Sequence, residues 1–565
     1  MPLSKNLIGV GKIALNTMLL IQVGSSLVSI GVGVAIFRGW RGGSVLDRLG
    51  VASLPFTVSV VLWRWIADVG FRGVVPYWSG ARLAAAMTVQ RGNSLYSPAT
   101  SGPVLGWIYP PISALAYLPA TFLPDPALAI VAGRCLSLFY YYAPAALVLS
   151  SVGSDRRGRP KFGRLLLFLT FALISGESRP LVYSSTEVHA DAPALGLAAL
   201  AVYMVTRSRG GRDPWACAGS LLLAMLSVWA KQLTIPIFLI VLPAWILATG
   251  GPRRFGLFVL AAAVGAIGIS LLMLVAFEHA SMGFNIWTVP SHHPWRIGWS
   301  SEVTSTLVRL QREHLGLLIL LAVGSLGRVA LLPGGTAPGP SLRSDAWPLF
   351  LAAALAELPL SVMGYFKVGG AENSLSFCLY FLALGGILLY EPLMVAPPSA
   401  EGDGRERASW SWLLVIGLNL TLSLVNHQML GLALNTNDPA WREGRAAEQY
   451  LRKHRGEVYF PWNPLMHLAV EGESYHFEYG VFDRNLAGFH VRDDHFLRHI
   501  PPRTRLVCYP KSLAWADKLT LNYLKGFREV EVAELPGWEC YARPRYSGGA
   551  APERGGGSLE CPPGL

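Results

Sequence analysis

The sequence predicts a polytopic α-helical membrane protein with about twelve transmembrane helices and a small C-terminal extracytoplasmic α/β domain. Hydrophobic residues make up 52% of the 565 residues and charged residues only 15%, whereas about one quarter of a soluble domain is charged. Apolar runs close to the roughly 20 residues that cross a bilayer core recur along the chain. After about residue 430 the pattern changes to short alternating strands and helices.

The apolar runs predict twelve spans. They lie near 14–37, 51–70, 127–150, 165–182, 192–206, 215–232, 233–249, 256–277, 314–331, 346–363, 375–395 and 410–429. The first run is longer than the core of a signal peptide, about 7–15 residues, so we interpret it as a span. Residues 1–50 are then an extra N-terminal span with a cytoplasmic loop, and residues 51–430 form the main transmembrane domain with a large outer loop at 71–126.

The net charge of +12 comes from basic residues that cluster in short loops between alternate apolar runs. The clusters lie at 154–164, 207–212, 252–254 and 404–407. Such loops are typically cytoplasmic, which places 183–191, 278–313, 364–374 and the region after 430 on the outer face of the cell inner (plasma) membrane. Basic residues are not interleaved with aromatic ones on any helix, so no nucleic-acid partner is expected.

The C-terminal region predicts a small domain of mixed structure. Residues 457–460, 504–508 and 528–532 are typical of strands, and 440–454, 491–499 and 511–524 of helices. We expect an extracytoplasmic α/β domain over 431–546 and a disordered, glycine-rich tail over 547–565. The six cysteines include no CxxC pair, so neither a zinc site nor a redox motif is indicated.

A polar cluster between two apolar runs is the first candidate site. Within residues 183–193, Glu187, His189 and Asp191 stand at a predicted membrane boundary, where ionisable groups suggest function. A solvated connector is an equally good interpretation. Glu187 and Asp191, four residues apart, could share a helix face and bind a divalent cation. Alternatively Asp191 caps the helix that follows, which the spacing favours for Asp191 alone.

Other polar residues stand at the predicted outer ends of spans. Lys231 and Lys367, with Arg179 before the polar cluster, could bind a phosphate group, although lysines at span ends also reach into the interface for purely structural reasons. Asp68 is the only acidic residue between Asp47 and Asp125 and could deprotonate a hydroxyl as a general base. It could equally end a helix at the lipid headgroups.

Several short motifs together resemble the GT-C superfamily of membrane glycosyltransferases, in particular its bacterial members. They are Tyr77-Trp-Ser-Gly-Ala-Arg82, Tyr109-Pro-Pro-Ile, His189-Ala-Asp-Ala-Pro193, Lys231-Gln232 and Lys367-Val-Gly-Gly-Ala-Glu372-Asn373. The resemblance covers most of residues 51–545. It implies Asp68, Glu187 and Asp191 as catalytic carboxylates and no resident metal site. It also implies a substrate-binding set made of Tyr77, Arg82, Tyr109, Arg179, His189, Lys231, Gln232, Lys367, Glu372 and Asn373.

The resemblance implies sugar transfer from a polyprenyl-phosphate donor to a hydroxyl of a glycan, lipid or protein acceptor at the outer face of the membrane. One feature departs from the family pattern: residues 73–76, just before Tyr77, contain no carboxylate. Asp68 is the first substitute, Glu187 or Asp191 the second, and loss of activity the third. A transporter or flippase of lipid-linked precursors and a non-catalytic envelope assembly protein are the alternatives from other classes. The involvement of a divalent cation is left open.

Overall fold

The computed structural model describes residues 2–39, 45–71, 77–151, 161–295, 301–314, 346–390, 415–426, 440–513 and 516–543, with 317, 321–322 and 324–325. Helices dominate up to residue 426. Those of the first half are α1 Pro2–Gly39, α2 Val45–Ile66, α3 Tyr77–Gln90, α4 Ile112–Leu115, α5 Leu118–Thr121, α6 Pro126–Ser151, α7 Lys161–Glu177, α8 Arg179–Thr186, α9 Asp191–Arg207 and α10 Pro214–Ala230. They continue with α11 Leu242–Gly250, α12 Pro252–Ala276, α13 His279–Gly283, α14 Val289–His292, α15 Ser301–Glu313, α16 Trp347–Phe366, α17 Ser376–Tyr390 and α18 Val415–Asn426.

Six helical segments of the described residues are long and apolar enough to cross a membrane, or seven if a bent pair counts as one span. The six are Ile21–Gly39, Arg48–Val69, Gln232–Gly250, Pro252–Ala276, Trp347–Phe366 and Glu372–Tyr390. The bent pair joins Gly163–Glu177 to Arg179–Thr186 at 105°. Much of the span predicted near 314–331 lies outside the described residues. The protein is therefore a polytopic helical membrane protein, and the count of about twelve spans stays a prediction.

Helices α9 and α10 form an antiparallel hairpin that fixes the position of the polar cluster. Ser220 donates to the Ala201 carbonyl at 2.8 Å and Ser227 to the Ala194 carbonyl at 2.7 Å. Small hydroxyl residues allow close approach of apolar helices and satisfy their own polar groups across the contact. Since α9 is 17 residues long, the hairpin separates its open end from the turn at 208–213 by about 25 Å.

The turn at 208–213 packs against the turn between α11 and α12. Arg254 donates to the Gly210 carbonyl at 3.3 Å, and a Cβ on Gly210 would lie 2.6 Å from the Thr249 carbonyl oxygen. Two of the four basic clusters predicted to be cytoplasmic thus lie side by side, at the end of the hairpin away from the polar cluster. Residues 152–160 and 404–407, which hold most of the other two clusters, lie outside the described residues.

Helix α3, in the large outer loop, is largely buried inside the protein. Its residues from Leu83 to Met87 are buried, and Leu83 and Met87 pack with Ile130 of α6 and Leu465 of the C-terminal region. The apolar side chains of α3 therefore pack in two directions, because the helix lies between the transmembrane helices and the C-terminal domain. It connects the two parts of the molecule.

The C-terminal domain contains a four-stranded mixed sheet. Its helices are α19 Ala440–Lys453, α20 Pro464–Glu471, α21 Glu478–Leu486, α22 Asp493–Arg498 and α23 Leu519–Tyr523, and its strands β1 Val458–Tyr459, β2 Leu506–Pro510, β3 Arg528–Val530 and β4 Trp538–Ala542. The strand order is β1-β2-β4-β3, with β1 parallel to β2 and the other pairs antiparallel. The sequence did not predict β4, which lies in the middle of the sheet and is joined to β2 by the disulfide Cys508–Cys540. The helix expected over 511–524 is limited to α23 and one turn at Lys511–Leu513.

The outer loop docks on this domain through backbone groups. Phe477 N–H donates to the Val104 carbonyl at 2.8 Å, and Val104 N–H donates to His476 Nδ1 at 2.9 Å. Beside these bonds Gly106 contacts Gly480 of α21, where a Cβ on Gly480 would lie 2.5 Å from the Gly106 nitrogen. Because Gly106 and Gly480 have no Cβ atoms, the backbones of α21 and the loop can approach each other this closely.

The substitution Gly480→Ala tests this contact. We expect it to lower the free energy of unfolding by about 1–3 kcal/mol, because the added methyl group overlaps backbone that belongs to another element. The measurement is thermal unfolding of the detergent-purified protein. Gly283→Ala is the control, since a Cβ there meets no atom within 4 Å. Equal unfolding temperatures for the two variants would contradict the predicted tight contact.

Candidate functional site

Asp191 is the centre of a buried polar cluster at the open end of the α9–α10 hairpin. Its Oδ2 accepts hydrogen bonds from Ser184 Oγ at 3.0 Å and from Asn373 Nδ2 at 2.8 Å, and its Oδ1 forms an ion pair with Lys231. The side chain does not cap its own helix, because α9 begins after Ala190 without a side-chain cap. Asp191 is the first residue of α9, as the capping interpretation expected, but its carboxylate bonds to other segments and joins α8, α9, the end of α10 and the segment before α17.

His189 links Asp191 to the first outer loop. Its Nδ1 lies 2.8 Å from Asp191 Oδ2, and its Nε2 lies 2.9 Å from the Tyr109 hydroxyl. With the proton on Nδ1, the imidazole donates to Asp191 and accepts from Tyr109. The Tyr117 hydroxyl donates to the His189 carbonyl at 2.8 Å and fixes the backbone of the same turn. Four side chains thus form one continuous row in which each is hydrogen-bonded to the next: Tyr109, His189, Asp191 and Lys231.

Lys231 also contacts two aromatic rings. Its ammonium group lies 5.6 Å from the Tyr109 ring centroid and 4.9 Å from that of Phe377. Both are within the range of cation–π attraction, which adds to the ion pair in holding the charge. The α10 helix ends at Ala230, so Lys231 is in extended backbone and its side chain turns back toward Asp191. The adjacent Gln232 donates to the Ile286 carbonyl at 3.0 Å.

Arg82 on α3 lies next to this row and has a different environment. Its Nη1 donates to the Tyr183 hydroxyl at 2.6 Å, and its guanidinium lies 5.5 Å from the Trp78 ring and 5.7 Å from the Tyr183 ring. Among the described residues it forms no ion pair with a carboxylate. A guanidinium has five N–H donors in a planar fork that matches the oxygens of a phosphate. Arg82 is therefore the cation of this site best suited to an anionic ligand.

A second network lies behind Arg82 and contains the other two predicted carboxylates. Arg134 of α6 donates to Glu187 at 2.7 Å and to the Val69 carbonyl at 3.3 Å. Glu187 also accepts from Ser79 of α3. Asp68, in the π-helical turn Ala67–Phe71, is 4% exposed and pairs with Arg64 at 2.8 Å. Arg134 thus bridges the Asp68 segment to Glu187, and neither carboxylate contacts Asp191.

The C-terminal domain closes the site from the outside through α21. Tyr479 packs edge-to-face on Trp78, with ring centroids 4.5 Å apart, and Asp483 follows one helical turn later on the same face. Burial raises the pKa of the Asp483 carboxyl to about 8, against the opposite effect of the Arg82 charge. Burial raises the pKas of the Tyr109 and Tyr479 hydroxyls, and the nearby Asp483 carboxylate raises them further. Asp483 therefore lies near enough to Arg82 and Tyr109 to interact with them electrostatically.

The remaining predicted site residues lie at the margin of the cluster or away from it. Lys367 bonds to the Pro290 and Ser291 carbonyls and lies 5.2 Å from the Trp295 ring, and Glu372 pairs with Arg309. Arg179, at the far end of α8, is 66% exposed and contacts Glu313 at 3.7 Å. Tyr77 begins α3, and its side chain lies outside the described part of the chain. The structure brings together Asp191, His189, Lys231, Asn373, Tyr109 and Arg82, with Glu187 and Asp68 behind them.

A divalent cation has no ready-made ligand set here. Glu187 and Asp191 are separated by a bend and use their oxygens on different partners, Arg134 and Lys231 among them. In the described ranges no three His, Cys, Asp or Glu side chains come together as a metal site. The residues as arranged do not fit such a cation, and no step below depends on one.

Sequence reasoning missed Arg134, Ser184, Tyr479 and Asp483. Arg134 could have been found, because a fully buried arginine within an apolar span is a functional candidate by default. Asp483 carried no such signal, since an acidic residue in a soluble domain is ordinarily exposed.

The pair of Asp191 and Lys231 can be tested by substitution. We expect Asp191→Asn to lower the free energy of unfolding by about 3–5 kcal/mol, because it leaves a buried ammonium without its counter-charge. The double variant Asp191→Asn/Lys231→Met should unfold at a higher temperature than the single variant, as followed by thermal unfolding in detergent. A double variant that is less stable than the single one would contradict the pairing.

No protein-family model matches the sequence, and no curated protein sequence does. Among solved structures, ArnT from Cupriavidus metallidurans bound to undecaprenyl phosphate is similar with a TM-score of 0.52 and 12% identity, over 87% of this chain and 98% of that chain. The apo state of the same protein gives 0.49 and 12%, over 87% and 97%. The archaeal oligosaccharyltransferase AglB from Archaeoglobus fulgidus, in complex with an inhibitory peptide and a dolichol-phosphate, gives 0.41 and 11%, over 87% and 74%.

The likeness to undecaprenyl-phosphate-bound ArnT extends over nearly the whole of that protein, so it includes both the transmembrane helices and the C-terminal domain. At 12% identity it concerns the fold. The likeness agrees with the fold that the short motifs implied: over 87% of its residues this chain folds like the undecaprenyl-phosphate-bound ArnT structure.

Proposed function

We propose that this protein transfers a sugar from a polyprenyl-phosphate donor to an acceptor hydroxyl at the extracytoplasmic face of the membrane. The observation that carries the proposal is Arg82, a half-buried guanidinium that has no carboxylate partner among the described residues and lies beside the Asp191–Lys231 pair. An arginine held this way by phenol and aromatic rings keeps donors available for a phosphate.

The proposed role of the cations follows from the chemistry of the donor. When the sugar leaves, the polyprenyl phosphate gains negative charge, and fixed donors aimed at that charge lower the barrier. Arg82 contributes its fork of N–H groups, and Lys231 contributes an ammonium that Asp191 and the Tyr109 ring hold in place. Arg179 and Lys367 are less suited to this task, because Glu313 and backbone carbonyls engage them.

The predicted catalytic carboxylates receive positioning roles in this scheme. Asp191 orients Lys231 and His189, and Glu187 with Arg134 fixes the start of α3 that carries Arg82. Asp68 with Arg64 anchors the segment leading to α3. The lipid donor needs no nucleotide-binding domain. The acceptor hydroxyl in this proposal belongs to a glycan, a membrane lipid or a protein.

The disulfide supports an extracytoplasmic C-terminal domain. Cys508 and Cys540 are buried and joined between neighbouring strands, and such bonds persist mainly outside the cytoplasm. The basic turns at 208–213 and 252–254 lie at the opposite end of the helices, as the positive-inside rule requires for this orientation. We accordingly propose the inner membrane as the location.

Transfer activity is predicted to depend on Arg82. In proteoliposomes supplied with polyprenyl-phosphate mannose, glucose or arabinofuranose and a membrane-glycolipid extract as acceptor, Arg82→Gln should reduce transfer at least about tenfold, because charge-assisted hydrogen bonds to the phosphate are lost. Arg91→Gln, which changes an exposed arginine just after the same helix, is the matched control. Wild-type rates in Arg82→Gln, with the control also unaffected, would reject the phosphate role.

The proposed orientation of the protein in the membrane can be tested by labelling single cysteines with a membrane-impermeant maleimide. With Cys135, Cys217, Cys378 and Cys561 replaced by alanine, a cysteine at the exposed position Glu473 should react in right-side-out vesicles. A cysteine at Arg207, at the end of α9, should react only after permeabilisation. The reverse pattern would place the C-terminal domain in the cytoplasm and exclude the proposed location.

One observation favours a transporter as the second candidate. Glu357 is fully buried within α16, and an ionisable residue inside a span is typical of transport pathways. A transporter would require this carboxyl, whereas a glycosyltransferase would not. Glu357→Gln should therefore leave transfer in the same proteoliposomes unchanged, and loss of lipid-linked sugar movement between leaflets would favour the transporter.

A further inference from the structure

The proposed transfer requires a group that accepts the proton of the attacking hydroxyl, and the carboxylates expected for this role are engaged elsewhere. Asp191 accepts hydrogen bonds on both oxygens, from Lys231 on one and from Ser184, His189 and Asn373 on the other. Glu187 likewise uses one oxygen on Arg134 and the other on Ser79. Each oxygen that is bonded to a cation is a poor base, because the pair stabilises the deprotonated form.

Asp68 is also unfavourably placed. It forms its ion pair with Arg64, and Arg134 bonds to the carbonyls of the same turn. Two guanidinium groups therefore engage the Asp68 turn. A different carboxyl must serve if the hydroxyl approaches from outside the membrane.

Asp483 differs from Asp68, Glu187 and Asp191 because it forms no ion pair among the described residues. It is 4% exposed, and within the described chain its Oδ1 has no hydrogen-bond partner. Asp483 lies on the same face of α21 as Tyr479. Tyr479 packs on the Trp78 ring, and the Arg82 guanidinium lies beside that ring. A buried carboxyl oxygen without a donor is costly, and the hydroxyl of an acceptor would supply the missing hydrogen bond.

The space next to Asp483 depends on a glycine. Gly369 has φ +83°, and a Cβ there would lie 3.7 Å from Asp483 Oδ1 and 3.3 Å from His293 Nδ1. His293 Nε2 lies 3.2 Å from the Asp483 carbonyl oxygen and so connects this turn to α21. The turn that contains Lys367 and Gly369 therefore borders the carboxyl without covering it with a side chain.

We propose that Asp483 of the C-terminal domain is the catalytic base that deprotonates the acceptor hydroxyl. This inference rests on the proposed glycosyl transfer. In the step, the hydroxyl oxygen forms the new bond to the anomeric carbon as its proton passes to Asp483 Oδ1. The bond between that carbon and the phosphate oxygen breaks, and its electron pair leaves with the polyprenyl phosphate, whose charge Arg82 and Lys231 stabilise. The proton is released to water once the product has left.

The electrostatic surroundings of Asp483 fit a base that works near neutral pH. A general base is most effective when its pKa is close to the working pH, and burial raises that of Asp483 to about 8. Titratable and charged groups that face or adjoin it come from α3, the outer loop, α21 itself and two adjoining turns. They are Arg82, Tyr109, Tyr479, His293 and Lys367.

The test compares binding and transfer in Asp483→Asn, which keeps the size of the side chain. Undecaprenyl phosphate should stabilise this variant against heat as it does the wild type, whereas transfer in the proteoliposome assay should fall about 100-fold or more. Because the unprotonated carboxylate is the active form, the wild-type rate should rise about tenfold per pH unit below pH 7 and level off above about pH 8. The residual rate of Asp483→Asn should not show this rise, and Asp483→Glu should restore part of it.

Asp493→Asn, at an exposed carboxylate of the same domain, is the control and should match the wild type. An Asp483→Asn rate within about threefold of wild type, or one that keeps the wild-type pH profile, overturns the assignment of the base while leaving the transfer itself standing. A wild-type protein that neither binds undecaprenyl phosphate nor transfers sugar rejects the proposed function instead. Loss of undecaprenyl phosphate stabilisation in Asp483→Asn would show a structural role and also overturns the assignment.

Discussion

The buried ion pair of Asp191 and Lys231 is the interaction on which the rest of the site depends. Two charges removed from water must compensate each other and be hydrogen-bonded, or the burial is unfavourable by several kcal/mol. Satisfying Asp191 brings Ser184, His189 and Asn373 to one point, and these residues belong to segments far apart in the chain. The geometry of α8, the α9–α10 hairpin and the segment before α17 is thereby coupled to a single carboxylate.

The C-terminal domain is part of this site because of how α3 and the outer loop are packed. Helix α3 carries Arg82 on one side and packs Leu83 and Met87 between the transmembrane helices and Leu465. The loop then meets α21 through backbone hydrogen bonds and the contact of Gly106 with Gly480. The C-terminal domain therefore packs directly against the helix that carries Arg82, where the donor phosphate is proposed to bind.

The buried carboxylates of this region are of two kinds, those that pair with a cation and Asp483. Asp68, Glu187 and Asp191 each face a cation and hold arginine or lysine side chains in place. Asp483 faces the same region from outside, with a pKa raised by burial and one oxygen without a partner among the described residues. In the proposed transfer, such a division would give the leaving phosphate and the attacking hydroxyl different electrostatic environments.

The sequence by itself determined the membrane class, the C-terminal domain and most of the polar residues that meet in the cluster. Apolar run length and basic loops depend only on local composition, and so does the presence of Asp191, Lys231 and Asn373 at the ends of predicted spans. Local composition could not decide that Asp191 pairs with Lys231 instead of capping α9, or that β4 lies next to β2 across a disulfide. These contacts join residues 32 or more positions apart. Only the tertiary structure decided that Asp483, 401 positions after Arg82 in the chain, lies near it, because α21 packs against α3 and the outer loop.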